Sequence, residues 1–223
     1  EVFMIFIFLI GLFVIKHFLG KNILIKVLYF FIALCVAYLL FLLRPYLGFG
    51  FFVAILLTPF YSFKKYSLLL SIFLLLFLLK ISFLLGFLEP ILKYRTGFET
   101  VDGGSNLGIN FDSATFFIPR FIQSFLYQMF GLYFTSIASI IAFCIETIPF
   151  LIALVYLVKN REYSNKFIDF LIVFFIAYGV IWLLGNDNLG TAIRLRMFNY
   201  LAIYISCFIV YQNKCIIEKG INK

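Results

Sequence analysis

Residues 67–88 read SLLLSIFLLLFLLKISFLLGFL, an unbroken apolar run whose one charge is Lys80. A helix rises about 1.5 Å per residue, so a run of this length is enough to cross the ~30 Å of hydrocarbon in a bilayer. Comparable runs occupy residues 2–15, 23–43, 47–63, 132–158, 167–184 and 197–212. Of the 223 residues, 65% are hydrophobic, 33 are Phe and only 13% are charged. A soluble globular chain keeps roughly a quarter of its residues charged, so that class is excluded. The period-two alternation of a membrane β-barrel is absent. The sequence therefore predicts an all-α, polytopic transmembrane helical bundle of about seven spans, with residues 1–223 forming a single transmembrane domain.

The chain begins with Glu1, and its first apolar run is too short to span and shows no secretory cleavage pattern. We read the sequence as the C-terminal part of a longer protein, with its first span truncated. Cys35, Cys144, Cys207 and Cys215 lie far apart, three of them inside apolar runs, which suggests neither a disulfide framework nor a metal motif. No nucleotide loop, zinc spacing or nucleophile elbow occurs, so no cofactor and no metal is expected. The formal charge of +8 reads as membrane orientation, with no sign of nucleic-acid binding.

Orientation follows from where Lys and Arg collect. Lys16, Lys21, Lys26, Lys64, Lys65, Lys159, Arg161, Lys166, Lys214, Lys219 and Lys223 fall on one side, which is then the cytoplasmic one. This assignment requires that residues 116–131 do not cross. Arg120, Gln123, Ser124, Tyr127, Gln128 and Gly131 there recur at i, i+3, i+4, i+7, i+8 and i+11, which gathers the polar groups on one helical face. Pro119 suits a first helical turn. The expectation is an outer interfacial or re-entrant helix, preceded by an outer polar loop, the two together covering residues 89–131.

The other side holds Arg44, Lys93, Arg95, Arg120, Arg194 and Arg196, five of the six arginines in the chain. Lysine suffices as a topology charge, whereas guanidinium offers a planar fork matched to phosphate or carboxylate. Residues 185–196, GNDNLGTAIRLR, lead into the last span with Thr191 as a candidate N-cap. Cations in a first helical turn oppose the helix dipole by a few tenths of a kcal/mol, and a bound anion would reverse that sign. The plain alternative is an Asn/Gly turn followed by snorkelling arginines.

Residues 89–115 exceed a simple connector and carry Glu89, Glu99, Asp102 and Asp112, candidates to bind sugar hydroxyls or to act as a general base. Lys80 and Glu146 both fall near the centre of their predicted spans, where an unpaired charge costs several kcal/mol. They are therefore expected to pair with each other as intramembrane helix glue. Pro149 is expected to bend the same span as Glu146, and His17 reads as an interfacial residue.

The outer pattern resembles bacterial O-antigen and capsular polysaccharide repeat-unit polymerases. The resemblance rests on residues 89–131, on the Cys144-Ile145-Glu146 span and on Gly190-Thr191-Ala192-Ile193-Arg194-Leu195-Arg196, with an arginine-ten-residues-glycine match at Arg120 and Gly131. Members of that family carry more spans than are read here. The resemblance implies a multi-pass protein of the bacterial inner membrane that joins oligosaccharide units carried on undecaprenyl pyrophosphate, with membrane lipid and other polysaccharide-export proteins as partners. It implies that Arg95, Arg120, Arg194 and Arg196 hold the pyrophosphate, and that Glu99, Asp102, Asp112 or Asp187 deprotonates the acceptor hydroxyl. The alternatives are a lipid-linked oligosaccharide flippase and a polyprenyl-phosphate-sugar glycosyltransferase.

Overall fold

A computed structural model describes residues 1–18, 23–99, 105–218 and 220, with the side chains of 18, 23–26, 98 and 99 outside that description. Among the described residues the chain is helical with no strand, apart from an isolated antiparallel bridge between Asn106 and Asn188. It packs as two compact units. The first comprises Glu1–Lys64, Leu154–Tyr178 and Leu201–Lys223, and the second Lys65–Ala153 and Gly179–Tyr200.

In the first unit, α1 (Val2–Phe18) packs on α2 (Ile23–Leu43), and α2 on α3 (Pro45–Leu57). Arg44 breaks α2 from α3 because it is extended, with φ −154° and ψ 105°, while Pro45 fixes the first turn of α3. The two helices fold back closely at Gly48, where a Cβ would lie 2.1 Å from the backbone nitrogen of Phe41. Gly50 similarly admits the backbone of Tyr178, on α9 (Lys166–Gly185), which a Cβ would approach to 2.7 Å. Small residues that let helix backbones touch are the usual packing device where lipid removes a hydrophobic driving force between helices. Phe8, Phe51, Phe170 and Phe174 fill the space around them, with ring centroids 5.0–6.1 Å apart in the pairs that touch. Asp169, buried in the first turn of α9, accepts from the Phe63 amide at 2.8 Å and pairs with Lys166 at 3.5 Å, which anchors the segment after α3.

The second unit begins with α4 (Leu68–Leu84), which runs into α5 (Glu89–Glu99) through a bend of 81°. Gly86 turns the chain at φ +76°, a conformation that costs glycine little. The apolar run that reads as one span is thus a helix only as far as Leu84. α6 (Phe117–Ser124) continues as a π-helical turn, Phe125–Met129. α7 (Ile137–Ala142) leads through a second π turn, Phe143–Thr147, into α8 (Ile148–Lys159). Pro149 has no amide hydrogen for the Ile145 carbonyl, so the expected bend is taken up as a π turn just ahead of it. The last helix, α10 (Leu189–Glu218), and α9 each contribute residues to both units.

By length and composition, three helices among the described residues can cross a membrane: Ile137–Lys159, Lys166–Gly185 and Leu189–Glu218. A fourth is added if α4 and α5 form one bent span. Residues 2–17, 27–43 and 45–60 are apolar helices of shorter length. A helix of 13 residues such as α3 covers only about 20 Å, and the turn at Gly86 divides the 67–88 run, so the about seven spans expected from hydropathy are not all matched by a helix of spanning length among the described residues. The fold is an all-helical protein with several apolar helices long enough to span a membrane.

Candidate functional site

Two buried arginines organise the second unit. Arg95, on α5, is 3% exposed. Its Nε donates to the Ile109 carbonyl at 2.8 Å, and its Nη1 to the carbonyls of Leu183 (3.1 Å), Leu184 (3.4 Å) and Asn186. Its Nη2 pairs with Asp187 Oδ1, and its guanidinium lies 4.9 Å over the ring of Phe111. Asp187 also accepts the Gly108 amide at 2.9 Å and the Ile109 amide at 3.3 Å. Both groups of this pair are spent on protein partners. The expected phosphate ligand Arg95 and the candidate base Asp187 instead clamp the 105–111 segment to the end of α9.

The polar face of α6 completes this clamp. Ser124 donates to the Leu183 carbonyl at 2.9 Å, and Gln128 exchanges bonds with Asn186 at 2.5 and 3.0 Å. The expected amphipathic helix is present, but Ser124 and Gln128 face inward while Arg120 is exposed, with Nη1 3.3 Å from Gln123 Oε1. Asn188, not Thr191, caps α10: its Oδ1 accepts the Thr191 amide at 3.0 Å, and its Nδ2 donates to Ser105 and Asn106.

Arg196, about two turns into α10 and 4% exposed, differs in kind. Its Nη2 donates to Glu146 Oε2 at 2.5 Å, its guanidinium lies 5.6 Å over the Tyr200 ring, and its buried Nε has no hydrogen-bond partner among the described residues. The Glu146 side chain is 43% exposed. Both π turns build this place. The first ends at Met129, whose carbonyl accepts from Tyr200 Oη at 2.7 Å, and the second carries Glu146 and Thr147, with Thr147 Oγ1 3.2 Å from Tyr200 Oη. Gly131, at φ +66°, leaves room for the guanidinium, because a Cβ there would sit 2.9 Å from Arg196 Nη1.

The structure does not bring Lys80 and Glu146 together. Glu146 takes Arg196, and Lys80, close to the end of α4, donates to the Ala114 carbonyl. Arg194 is exposed and Arg196 buried, since two positions on a helix lie about 200° apart and cannot face one ligand. Asp112 is exposed. Asp102 and the Glu99 side chain lie outside the described residues. His17 Nδ1 donates to the Phe13 carbonyl at 2.9 Å. Among the described residues, no three His, Cys, Asp or Glu groups converge as metal ligands, and all four cysteines are free thiols.

Tyr200 and Thr147 were invisible as site residues because nothing in their local spacing marks them. Asn188 carried a signal, since Asn is among the best N-caps. Comparison of the chain with protein-family models, curated proteins and solved structures gives no match.

Proposed function

We propose that the chain belongs to a membrane-embedded glycosyltransferase that polymerises undecaprenyl-pyrophosphate-linked oligosaccharide repeat units at the outer face of the bacterial inner membrane. The observation that carries this reading is Arg196. A guanidinium with one buried, unpartnered N–H beside a half-exposed carboxylate is a cation held ready for a further acceptor, since leaving such a donor unpaired costs about 1–3 kcal/mol.

In the reaction the acceptor hydroxyl attacks the anomeric carbon of the donor sugar. The bond from that carbon to the pyrophosphate oxygen breaks, and lipid pyrophosphate leaves with the electron pair. Arg196 stabilises the charge that develops on the leaving group, with Arg120, which is exposed, meeting the lipid carrier from outside. Of the described candidate bases, Asp187 is occupied by Arg95, which leaves Asp112 to take the hydroxyl proton. Loss of one preorganised donor of this kind costs about 2.7–4 kcal/mol of activation, roughly 10²–10³ in rate.

The test uses the protein in a strain deleted for its gene. Arg196→Lys keeps the charge and loses the fork, and it is expected to leave surface glycan as single repeat units. Glycan of wild-type length would remove Arg196 from the mechanism, and absence of exported glycan would favour a flippase.

A further inference from the structure

A cleft of about 420 Å³ opens beside the Arg95 clamp, within the second unit. That volume lies within the roughly 300–1,000 Å³ common to small-molecule sites. Phe83 and Phe111 form its apolar wall, and Glu89, Lys93, Thr96, Asn110 and Asp112 its polar rim. We propose that this cleft binds a neutral sugar unit, the acceptor end of the growing glycan, and in naming the acceptor it rests on the polymerase reading above.

Charge selects the ligand class. Arg95 reaches the cleft, but its charge is answered by Asp187. What remains is Glu89, Asp112 and Lys93, an excess of one negative charge. None of these three side chains is paired with another described side chain. A pyrophosphate entering here would meet net repulsion, whereas a polyol can donate to both carboxylates and to the Thr96 hydroxyl oxygen, whose own proton goes to the Lys93 carbonyl at 2.8 Å, and accept from the ammonium and the Asn110 amide.

The wall suits the same ligand. Phe83 is held by stacking on Phe117, with centroids 4.4 Å apart, and Phe111 is fixed between Arg95 and Phe117. Phe111 is buried and backs the wall, while Phe83, only partly buried, offers the apolar face of a pyranose a phenyl ring already held in place by its stacking. The 81° bend between α4 and α5 creates the cleft, because it carries Glu89 and Lys93 away from the axis of α4, which presents Phe83.

A photo-crosslinking amino acid placed at Asn110 of the protein, irradiated in cells that make the glycan, tests this. The expected product is a carbohydrate-bearing adduct identified by mass. Ile137, which is exposed, serves as the reference position and should give none. Filling the cleft with Thr96→Trp should lower the Asn110 adduct by about tenfold, the change that accompanies loss of roughly 1.4 kcal/mol of binding. A phospholipid or peptide adduct, no adduct, or equal carbohydrate yield at Ile137 would overturn the proposal. Arg196→Lys separates the two readings. If Arg196→Lys shortens the glycan while Asn110 captures no sugar, the cleft proposal fails and the polymerase reading stands. Sugar captured at Asn110 with wild-type glycan length in Arg196→Lys leaves the cleft and removes the mechanism.

Discussion

Arg95 and Arg196 are buried to the same degree, each against a carboxylate, yet they do opposite things with their donors. Arg95 makes bonds from all three nitrogens to four carbonyls and Asp187. Arg196 holds Glu146 through Nη2 and leaves Nε without a partner. Their carboxylates differ in the same sense: Asp187 is 1% exposed and takes two backbone amides as well, whereas Glu146 is on a π turn and half open. Burial alone therefore does not distinguish a structural arginine from one available to a ligand. The count of satisfied donors does, because a buried group with spare hydrogen-bonding capacity is unfavourable until something fills it.

The largest effect expected from this contrast is on stability. Asp187→Ala strands a buried, fully desolvated guanidinium, and breaking a buried pair from one side costs about 3–5 kcal/mol. Reversible unfolding of the detergent-purified protein should show that loss. Glu146→Ala, measured in the same way, is expected to cost at most about 1.5–3 kcal/mol, the range for a hydrogen bond to a charged group, because its carboxylate is partly in solvent already. Equal losses in the two variants would erase the distinction between the sites.

Gly131→Ala comes next. An L-residue held in the left-handed region costs roughly 1–2 kcal/mol, and the added Cβ would press on Arg196 Nη1. The variant is expected to fold, with a modest loss in unfolding free energy, but to shorten the glycan as Arg196→Lys does. If Gly131→Ala loses stability while glycan length stays normal, the guanidinium is less constrained than its packing implies.

Much of this could be read from residue order, and the failures have physical causes. The apolar runs gave the helical class directly, since span length is a one-dimensional property. What hydropathy does not register is a break inside an apolar run. Gly86 is a single residue in 67–88, yet its positive φ ends α4 at Leu84. That break also explains the misplaced Lys80. Measured along a straight helix it sits at the centre of a span and needs a carboxylate, but close to the end of α4 a carbonyl, that of Ala114, is within reach. The position of Glu146 within an apolar run marks it as a carboxylate that needs a cation. The choice of Arg196 over Lys80 depends on the juxtaposition of α10 with the second π turn, which no local spacing encodes.

Asn188 offers the smallest and most local test. Its side chain acts in two directions, since Oδ1 caps α10 at Thr191 and Nδ2 ties the helix start to Ser105 and Asn106. Asn188→Ala removes both, and loss of an N-cap typically costs ~1 kcal/mol. Asn188→Asp keeps the acceptor and adds a charge favoured at a helix N-terminus by about 0.3–1 kcal/mol. It loses the donor, however, and sets a carboxylate against Asn106 Oδ1. Hydrogen exchange resolves the two roles: the Thr191 amide should lose protection in Asn188→Ala and keep it in Asn188→Asp, while the Leu107 amide, which bonds to the Asp187 carbonyl, should lose protection in both. Because Asn188 adjoins the Arg95 clamp and not the Arg196 site, exchange around Glu146 should be unchanged in either variant. A change there would mean that the two arginine sites are coupled through the first turns of α10, and that the open one draws on the closed one for its order.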